Sequence, residues 1–577
     1  MSSDAQPAPP EAEPTPTPDP NPEPDPGSPP LALDAQPPVA DPDATLDPRA
    51  ADNSTIVLAG PGIDPSGTTP STEAVQALLS AAPEGCLVVV PSGAVLAFDA
   101  TLLIDRRITL RGTGELRWTA GIEQAPALRV TAEGVAVREV VLSNPDHLGS
   151  ASGKRNIGVD IAASEVTVDG VRIVGFQNGV INEPSGEFEG TIVTNCRIVD
   201  VVGAGGGRGS TSRHGEDRGD GITIWGARAV VADNVVSALS GTDARIGIHA
   251  ESLATYANDP GEYLDSMFAI TGNVVTGPFR RGIVLEAAMH GTVSGNTISD
   301  NTWWGIAAID TRSVTISDNT IRWTRAEEDD QGKAWGPSRG PIVVYRSASS
   351  TVVDGNVIEI RGVASAAIRL QDAVMPEDES ETFVGSVDTV VSANIVQIAG
   401  GSCPSGLVLQ RALRPVVVGN RFTVSAPWDA RGGIVSYLSA NLLIADNSLL
   451  GPGEESGYGV RHEGEGTVHV TGNRVEGFRV ALAVTNSSAG VTIAGNTVQA
   501  CATGIDTFGS SGPSVIASNR LQVSGTRHIN AQPATSYVTT RHMGTARPAG
   551  GVSGDLLVGN GLLWVNDQGT WRSVKVT

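Results

Sequence analysis

From about residue 130 onward the chain is written in short runs of alternating apolar and polar residues, each broken by a small or acidic residue and then Asn. Val314-Thr315-Ile316-Ser317-Asp318-Asn319-Thr320-Ile321 shows the unit clearly. Alternation at period two predicts strands with one face buried. The Asn recurs at 234, 273, 296, 319, 356, 394, 420, 447, 473, 496 and 519, each followed two residues on by an aliphatic residue or Phe. Val140, Val171 and Cys196 take the Asn slot in three earlier copies. Midway through each period a Gly precedes an aliphatic residue, as in Gly221-Ile222, Gly247-Ile248, Gly282-Ile283 and Gly305-Ile306. Two or three strands per repeat with no helix between them exclude a βαβ repeat. Stacked coils about 4.8 Å apart would pair every strand with the next coil. The Asn is expected to bend the chain through left-handed backbone angles, and stacked amides to form a ladder. The expected fold is all-β, a single-stranded parallel β-helix of about fourteen coils spanning residues 130–530.

Both ends of this solenoid have their own patterns. Residues 54–129 read as a leading segment with a helix and the first strands. Thr69-Pro70 resembles an N-cap followed by Pro at the first helical position, and Ala74, Val75, Leu78, Leu79 and Ala82 mark one apolar face that stops at Pro83. Such a helix would cap the open hydrophobic end of the stack. Residues 531–577 read as a C-terminal β-module, with Asn560-Gly561 as a hairpin turn between two apolar strands and a third strand after Asp567-Gln568-Gly569. Residues 1–53 differ from everything else: the first 50 hold sixteen Pro, ten acidic residues and a single base, Arg49. Lacking amide donors and apolar groups, this stretch is expected to be a disordered, extended tether.

Net charge narrows the function. At −24, with 63 acidic against 39 basic residues, the chain would repel nucleic acid and anionic lipid. No apolar run approaches the roughly 20 residues a spanning helix needs. The N-terminus as given shows no Sec-type signal. Cys86, Cys196, Cys403 and Cys501 are far apart without a CxxC pair, so they indicate neither a metal site nor a disulfide framework. No cofactor motif is present: Gly203–Gly207 lacks the strand–helix context of a phosphate loop, and Glu327-Glu328-Asp329-Asp330 reads as a solvated acidic run.

Chemistry is therefore expected on the outside of the coils. In the strand that opens with Gly-Ile, the outward pairs on successive coils are Thr223/Trp225, His249/Glu251, Val284/Glu286, Ala307/Ile309, Val343/Tyr345 and Arg369/Gln371. Stacking puts Glu251 and Glu286 roughly 5 Å apart, with Asp310 one coil further on. Two carboxylates at that range suit glycoside hydrolysis, and their mutual repulsion is expected to raise one pKa. Asp220 and Asp217 are secondary candidates at the rim. Trp225, His249, Trp304, Tyr345, Arg346 and Arg369 are candidate substrate-binding groups, the indoles as sugar-stacking platforms and the Arg residues as partners for acidic sugars. Four oversized coils, with Asn-slot spacings of 37 to 39 residues against a shortest of 23, add long loops here, and five of the nine Trp fall in the same stretch (225, 303, 304, 323 and 335).

Residues 130–525 resemble the parallel β-helix repeats of the pectate-lyase-like superfamily, and Thr69 to Phe98 resembles the N-terminal segment of phage tailspikes and related glycan-active proteins. The pattern Arg547-Pro548, Gly554-Asp555-Leu556, Leu563-Trp564 and Gly569-Thr570-Trp571 is similar to short terminal modules of phage tail proteins. The resemblance implies a right-handed helix, a homotrimer located in the virion tail, and a host-surface polysaccharide as target. Other tail proteins would be partners through the N-terminal region. Three functions follow as expectations: a tail spike that binds and hydrolyses a host glycan, a purely adhesive tail protein, or a bacterial polysaccharide lyase, epimerase or hydrolase.

Overall fold

The computed structural model describes residues 54–575 apart from 121–124, 147–155, 183–187, 204–218, 243, 253–265, 325–338, 372–384, 426–431, 465, 488, 531–534, 543–555, 560–561 and 568–569. The tether at 1–53, Asp217, Trp335, the acidic run at 327–330 and most of the four long loops lie outside the described residues.

Each repeat folds as three strands, and every strand pairs in parallel with its counterpart one coil away. One coil consists of Thr315–Ser317, Thr320–Trp323 and Gly340–Tyr345. Its neighbours pair with it in unbroken register, Thr292 with Thr315 and Thr315 with Val352 in the first sheet. We call the three stacks sheets A, B and C, in chain order within a coil. Inward residues of all three meet on the axis: Ile316, Ile321 and Ile342 of this coil are at most 1 % exposed. Each such side chain contributes about 1.5–3 kcal/mol.

The bend between sheets A and B differs from the expectation in one respect. Positive φ falls on the residue before the Asn, as in Asp233 (57°), Asp318 (56°) and Asp446 (54°), or on Gly272, Gly295 and Gly355. The Asn instead works through its amide. From Asn273 to Asn519 each Oδ1 accepts both the backbone N–H and the Nδ2–H of the preceding Asn, as Asn356 Oδ1 does from Asn319 at 3.0 and 2.9 Å. Each Nδ2 also donates to a carbonyl, Asn319 to Val293 at 3.0 Å. Buried peptide groups at a tight bend need partners, and a side-chain amide supplies a donor and an acceptor on every coil. Cys196 ends the ladder: its N–H donates to Asn234 Oδ1, and its Sγ turns to the Thr194 carbonyl. Cys86, Cys196, Cys403 and Cys501 are all buried free thiols, and burial pushes Cys196 and Cys403 up to about 12.

At the N-terminal end, helix α1 covers Thr72–Ala81. It starts later than Thr69-Pro70 predicts, because the N-cap is Ser71, whose hydroxyl accepts from the Asp64 N–H. Val75, Leu79 and Ala82 are buried as the apolar face requires. Gln76 grips Leu103 of the first sheet C strand, Leu102–Ile104, through both backbone groups at 2.8 and 3.0 Å. An unpaired strand edge invites association, and α1 occupies this one. At the other end, Thr535–His542 pairs in parallel with Leu556–Gly559, which continues antiparallel into Leu562–Asp567 and Thr570–Lys575. The Asn560-Gly561 turn lies outside the described residues.

One interior side chain ties stability to pH. His462 points inward, fully buried, with Nδ1 3.1 Å from Ser436 Oγ. Burial lowers its pKa to about 4 from 6.5. The unfolded chain therefore binds a proton below pH 6.5 that the fold refuses, so this stability is complete above that pH and is lost as pH falls toward 4. The loss amounts to about 3 kcal/mol. Denaturant midpoints at pH 7 and pH 4 check this: His462→Val should remove most of the difference attributable to this window, and an unchanged pH dependence would sink the assignment.

Candidate active site

Six successive sheet C strands carry the site: β1 (Asp220–Trp225), β2 (Ile246–Glu251), β3 (Arg281–Glu286), β4 (Trp304–Ile309), β5 (Gly340–Tyr345) and β6 (Ile368–Gln371). Their register matches the outward pairs predicted from the Gly-Ile spacing. Thr223, His249, Val284, Ala307, Val343 and Arg369 form one column, and Trp225, Glu251, Glu286, Ile309, Tyr345 and Gln371 the next. Gly247 shows why glycine opens these strands. A Cβ there would stand 2.3 Å from Val275 Cγ1 and 2.7 Å from the Gly282 carbonyl, so any side chain would push the coils apart.

The expectation that these outward side chains meet solvent is corrected. Thr223, Trp225, His249, Val284, Ala307, Ile309 and Val343 are all buried. Ile246, Val284, Trp304, Ala307, Ile309 and Val343 form a second apolar cluster outside the coil, with Trp303 and Tyr345 packed against it. Strand alternation fixes which face a side chain points to, not what covers that face. Trp225, Trp304 and Trp323 are thus buried, and Trp303 is the one partly exposed indole of the set among the described residues. Trp303 stacks on Trp304 at 4.2 Å, and the Arg281 guanidinium lies 4.7 and 4.8 Å from the two rings.

The candidate acids separate into two groups. In the first, His249 Nε2 lies 3.5 Å from Glu251 Oε2 and 3.8 Å from Glu286 Oε2. One atom from each of the three residues falls within 4.8 Å of the others. Asp220 sits behind this group and not at a rim. It is fully buried, accepts from Thr223 Oγ1 at 2.9 Å and from Arg245 Nε at 2.8 Å, and forms a short ion pair with Arg245 Nη2. The same Nη2 donates to His249 Nδ1 at 3.2 Å. Trp225 meets the His249 ring edge-on at 6.2 Å. In the second group, Asp310 accepts from Arg346 Nη1 at 3.0 Å and from the Ser347 N–H at 3.2 Å, so it is paired with Arg346 and does not join the glutamates. Arg369 donates to Gln410 Oε1 at 3.0 Å and Ser365 Oγ at 3.4 Å.

Electrostatics assign the charges. Burial alone would raise Glu286, but His249, Arg281 and Arg346 outweigh it and hold the carboxyl well below the usual carboxylate range. The rise that like-charge repulsion is expected to give one of the pair therefore does not fall on Glu286. Burial would likewise raise Asp220, and Arg245 with smaller help from the Thr223 hydroxyl keeps it low. Burial pushes Arg281 down to about 10. Arg245 was not singled out in the sequence. Its signal was register: Asp220 pairs with Ile246, which places Arg245 immediately beside the buried acid.

His249, Glu251 and Glu286 have the donor types for a divalent ion. The ring orientation argues against that use. A guanidinium can only donate, so His249 Nδ1 is the acceptor and the neutral ring's hydrogen sits on Nε2, the atom a metal would need. Metal-binding imidazoles show the opposite wiring, donating their second N–H to an acceptor.

The family described as the right-handed beta helix region matches residues 152–521, well over half of the chain. No curated protein matches in sequence. Among solved structures, the chain is similar to Dettilon tailspike protein, with 14 % identity over 66 % of this chain and 68 % of that one, at a TM-score of 0.45. It is similar to a tailspike protein mutant of E. coli bacteriophage HK620 in complex with pentasaccharide, with 12 % identity, 77 % and 78 % coverage and a TM-score of 0.49. A third is PfbA, a surface adhesin of Streptococcus pneumoniae, with 11 % identity, 90 % and 98 % coverage and a TM-score of 0.39. The three-sheet coil, the amide ladder and the family match lead to one statement: this chain belongs to the right-handed β-helix family.

Proposed function

We propose that the protein is a tailspike-like glycan-binding protein that cleaves a host-surface polysaccharide by glycoside hydrolysis on the outer face of sheet C. A homotrimer held in a virion tail through the N-terminal region belongs to the same reading. The observation that carries the catalytic part is the Glu251–Glu286 pair: adjacent in register, with closest ligand atoms inside 4.8 Å, and with one member held ionised. Hydrolysis needs a proton donor at the glycosidic oxygen and a carboxylate at the anomeric carbon. Glu286 is the carboxylate, so Glu251 is the donor. Inverting enzymes hold their carboxyls about 6.5–9.5 Å apart to admit water, and retaining ones about 5–5.5 Å. The close pair here fits the second class. Glu286 would bond to the anomeric carbon as the leaving oxygen takes the Glu251 proton, and Glu251 would then deprotonate the water that releases the sugar. Trp303 and Tyr345 supply partly exposed rings for sugar faces.

Product chemistry tests this. Purified protein incubated with bacterial capsular polysaccharides and lipopolysaccharide O-chains should release new reducing ends, and proton NMR of the first product should show retained anomeric configuration. An inverted first product would make Glu286 a base acting on water. Unsaturated uronate absorbance would replace hydrolysis with elimination, and binding without either product would leave an adhesin.

A further inference from the structure

The groups behind the glutamates form a chain that the hydrolytic reading does not itself require. Asp220, with no exposed surface, binds Arg245 through both carboxylate oxygens. Arg245 Nη2 reaches His249 Nδ1 at 3.2 Å. His249 is 2 % exposed, and its Nε2 has no partner at hydrogen-bond distance but lies between Glu251 and Glu286 at 3.5 and 3.8 Å. The Asp220 carboxylate is 3.8 Å from Nδ1, beyond hydrogen-bond range.

We propose that Asp220 and Arg245 lock His249 in the Nε2–H tautomer, and that His249 is a positioning residue whose single N–H is held against the Glu251–Glu286 pair. The proposal rests on the hydrolytic reading for its consequence but not for its geometry. The buried carboxylate anchors the guanidinium, which has only donors to offer. Nδ1 must therefore present its lone pair, and the hydrogen faces the glutamates. With Nδ1 accepting from Arg245, the ring N–H left to face the carboxylates is the one at Nε2. A fixed donor aimed at a carboxylate favours the charged form of that carboxylate. The other charged groups facing Glu286 are Glu251 from β2, Arg281 from its own strand, and Arg346, itself paired with Asp310, from beyond β5.

Two measurements test the chain. In protein labelled with ¹⁵N-histidine, the neutral His249 ring should show a lone pair at Nδ1 and a hydrogen at Nε2, and Arg245→Met should mix the tautomers. A ring protonated at Nδ1 alone would overturn the proposal whether or not any glycan is cleaved. In kinetics, His249→Phe should move the acidic limb of kcat/KM upward by about one pH unit or more, while His249→Gln, which keeps an N–H near the Nε2 position, should restore most of that shift. Unchanged limbs in both variants, in an enzyme that still needs Glu286, would overturn the chain and leave the hydrolytic reading standing. Absence of cleavage by the wild type would do the reverse.

Discussion

Glu286→Gln is expected to lower glycan cleavage at least about 10³-fold while changing glycan affinity by no more than about threefold. The amide is nearly the same size, so Ile309 on the next coil and Arg281 along the strand keep their neighbours. What disappears is a charge that the site is built to hold: His249, Arg281 and Arg346 all favour the ionised carboxyl over its burial cost. A neutral amide cannot attack an anomeric carbon or stabilise its positive charge. Because the folded-state pKa is depressed, activity depending on ionised Glu286 should persist below pH 4.5, the ordinary value for the group, and fall only at more acidic pH. Glu251→Gln should be slow for a different reason, loss of the proton donor, and should recover best on substrates whose leaving group needs no proton. Single-turnover rates with affinity measured separately distinguish the two; equal losses of rate and affinity in both variants would mean that the pair only binds.

The second large effect is structural. Asn356→Leu removes the acceptor for both the N–H and the Nδ2–H of Asn319, and the donor to the Ile316 carbonyl and to Asn394 Oδ1. All lie where water does not reach, since Asn319, Asn356 and Asn394 have no exposed surface. Each stranded buried group costs about 1–3 kcal/mol, so a total of about 3–5 kcal/mol is expected. At the end of the ladder the same change should cost less: Asn234 Oδ1 receives only the Cys196 N–H from the coil before it. Guanidinium unfolding of Asn356→Leu and Asn234→Leu measures both. Equal and small losses would show that backbone pairing between coils, without the amide ladder, holds the bend.

The sequence carried the register of this molecule because the Asn slot and the Gly-Ile pair each recur once per coil. Counting from either places Glu251 beside Glu286 and Val343 beside Arg369. It did not carry what lies over the outer face. Trp225 and Trp304 alternate outward like any exposed residue, and only the packing of Trp303, Arg281 and Tyr345 around the outer cluster shows the face to be covered. Nor could composition reveal the sign of the Glu286 shift, which depends on His249, Arg281 and Arg346 meeting from three coils. Asp220 looked peripheral because it follows a long insertion; in three dimensions its pairing with Arg245 makes it the anchor behind His249. The left-handed bend residue was misplaced by one for a similar reason: both Asp and Asn tolerate that conformation, and the need of the buried amide for stacked partners decides between them.

The most direct test of the central claim is a crystal structure of Glu286→Gln bound to an oligosaccharide chosen by affinity from an array of bacterial surface glycans, a choice that does not presuppose cleavage. The account predicts a sugar chain on the outer face of sheet C, with a glycosidic oxygen within hydrogen-bond reach of Glu251, the anomeric carbon facing residue 286, and a ring against Trp303 or Tyr345. A glycan seated on sheet A or sheet B, or lying over sheet C with no glycosidic oxygen near Glu251, would contradict it.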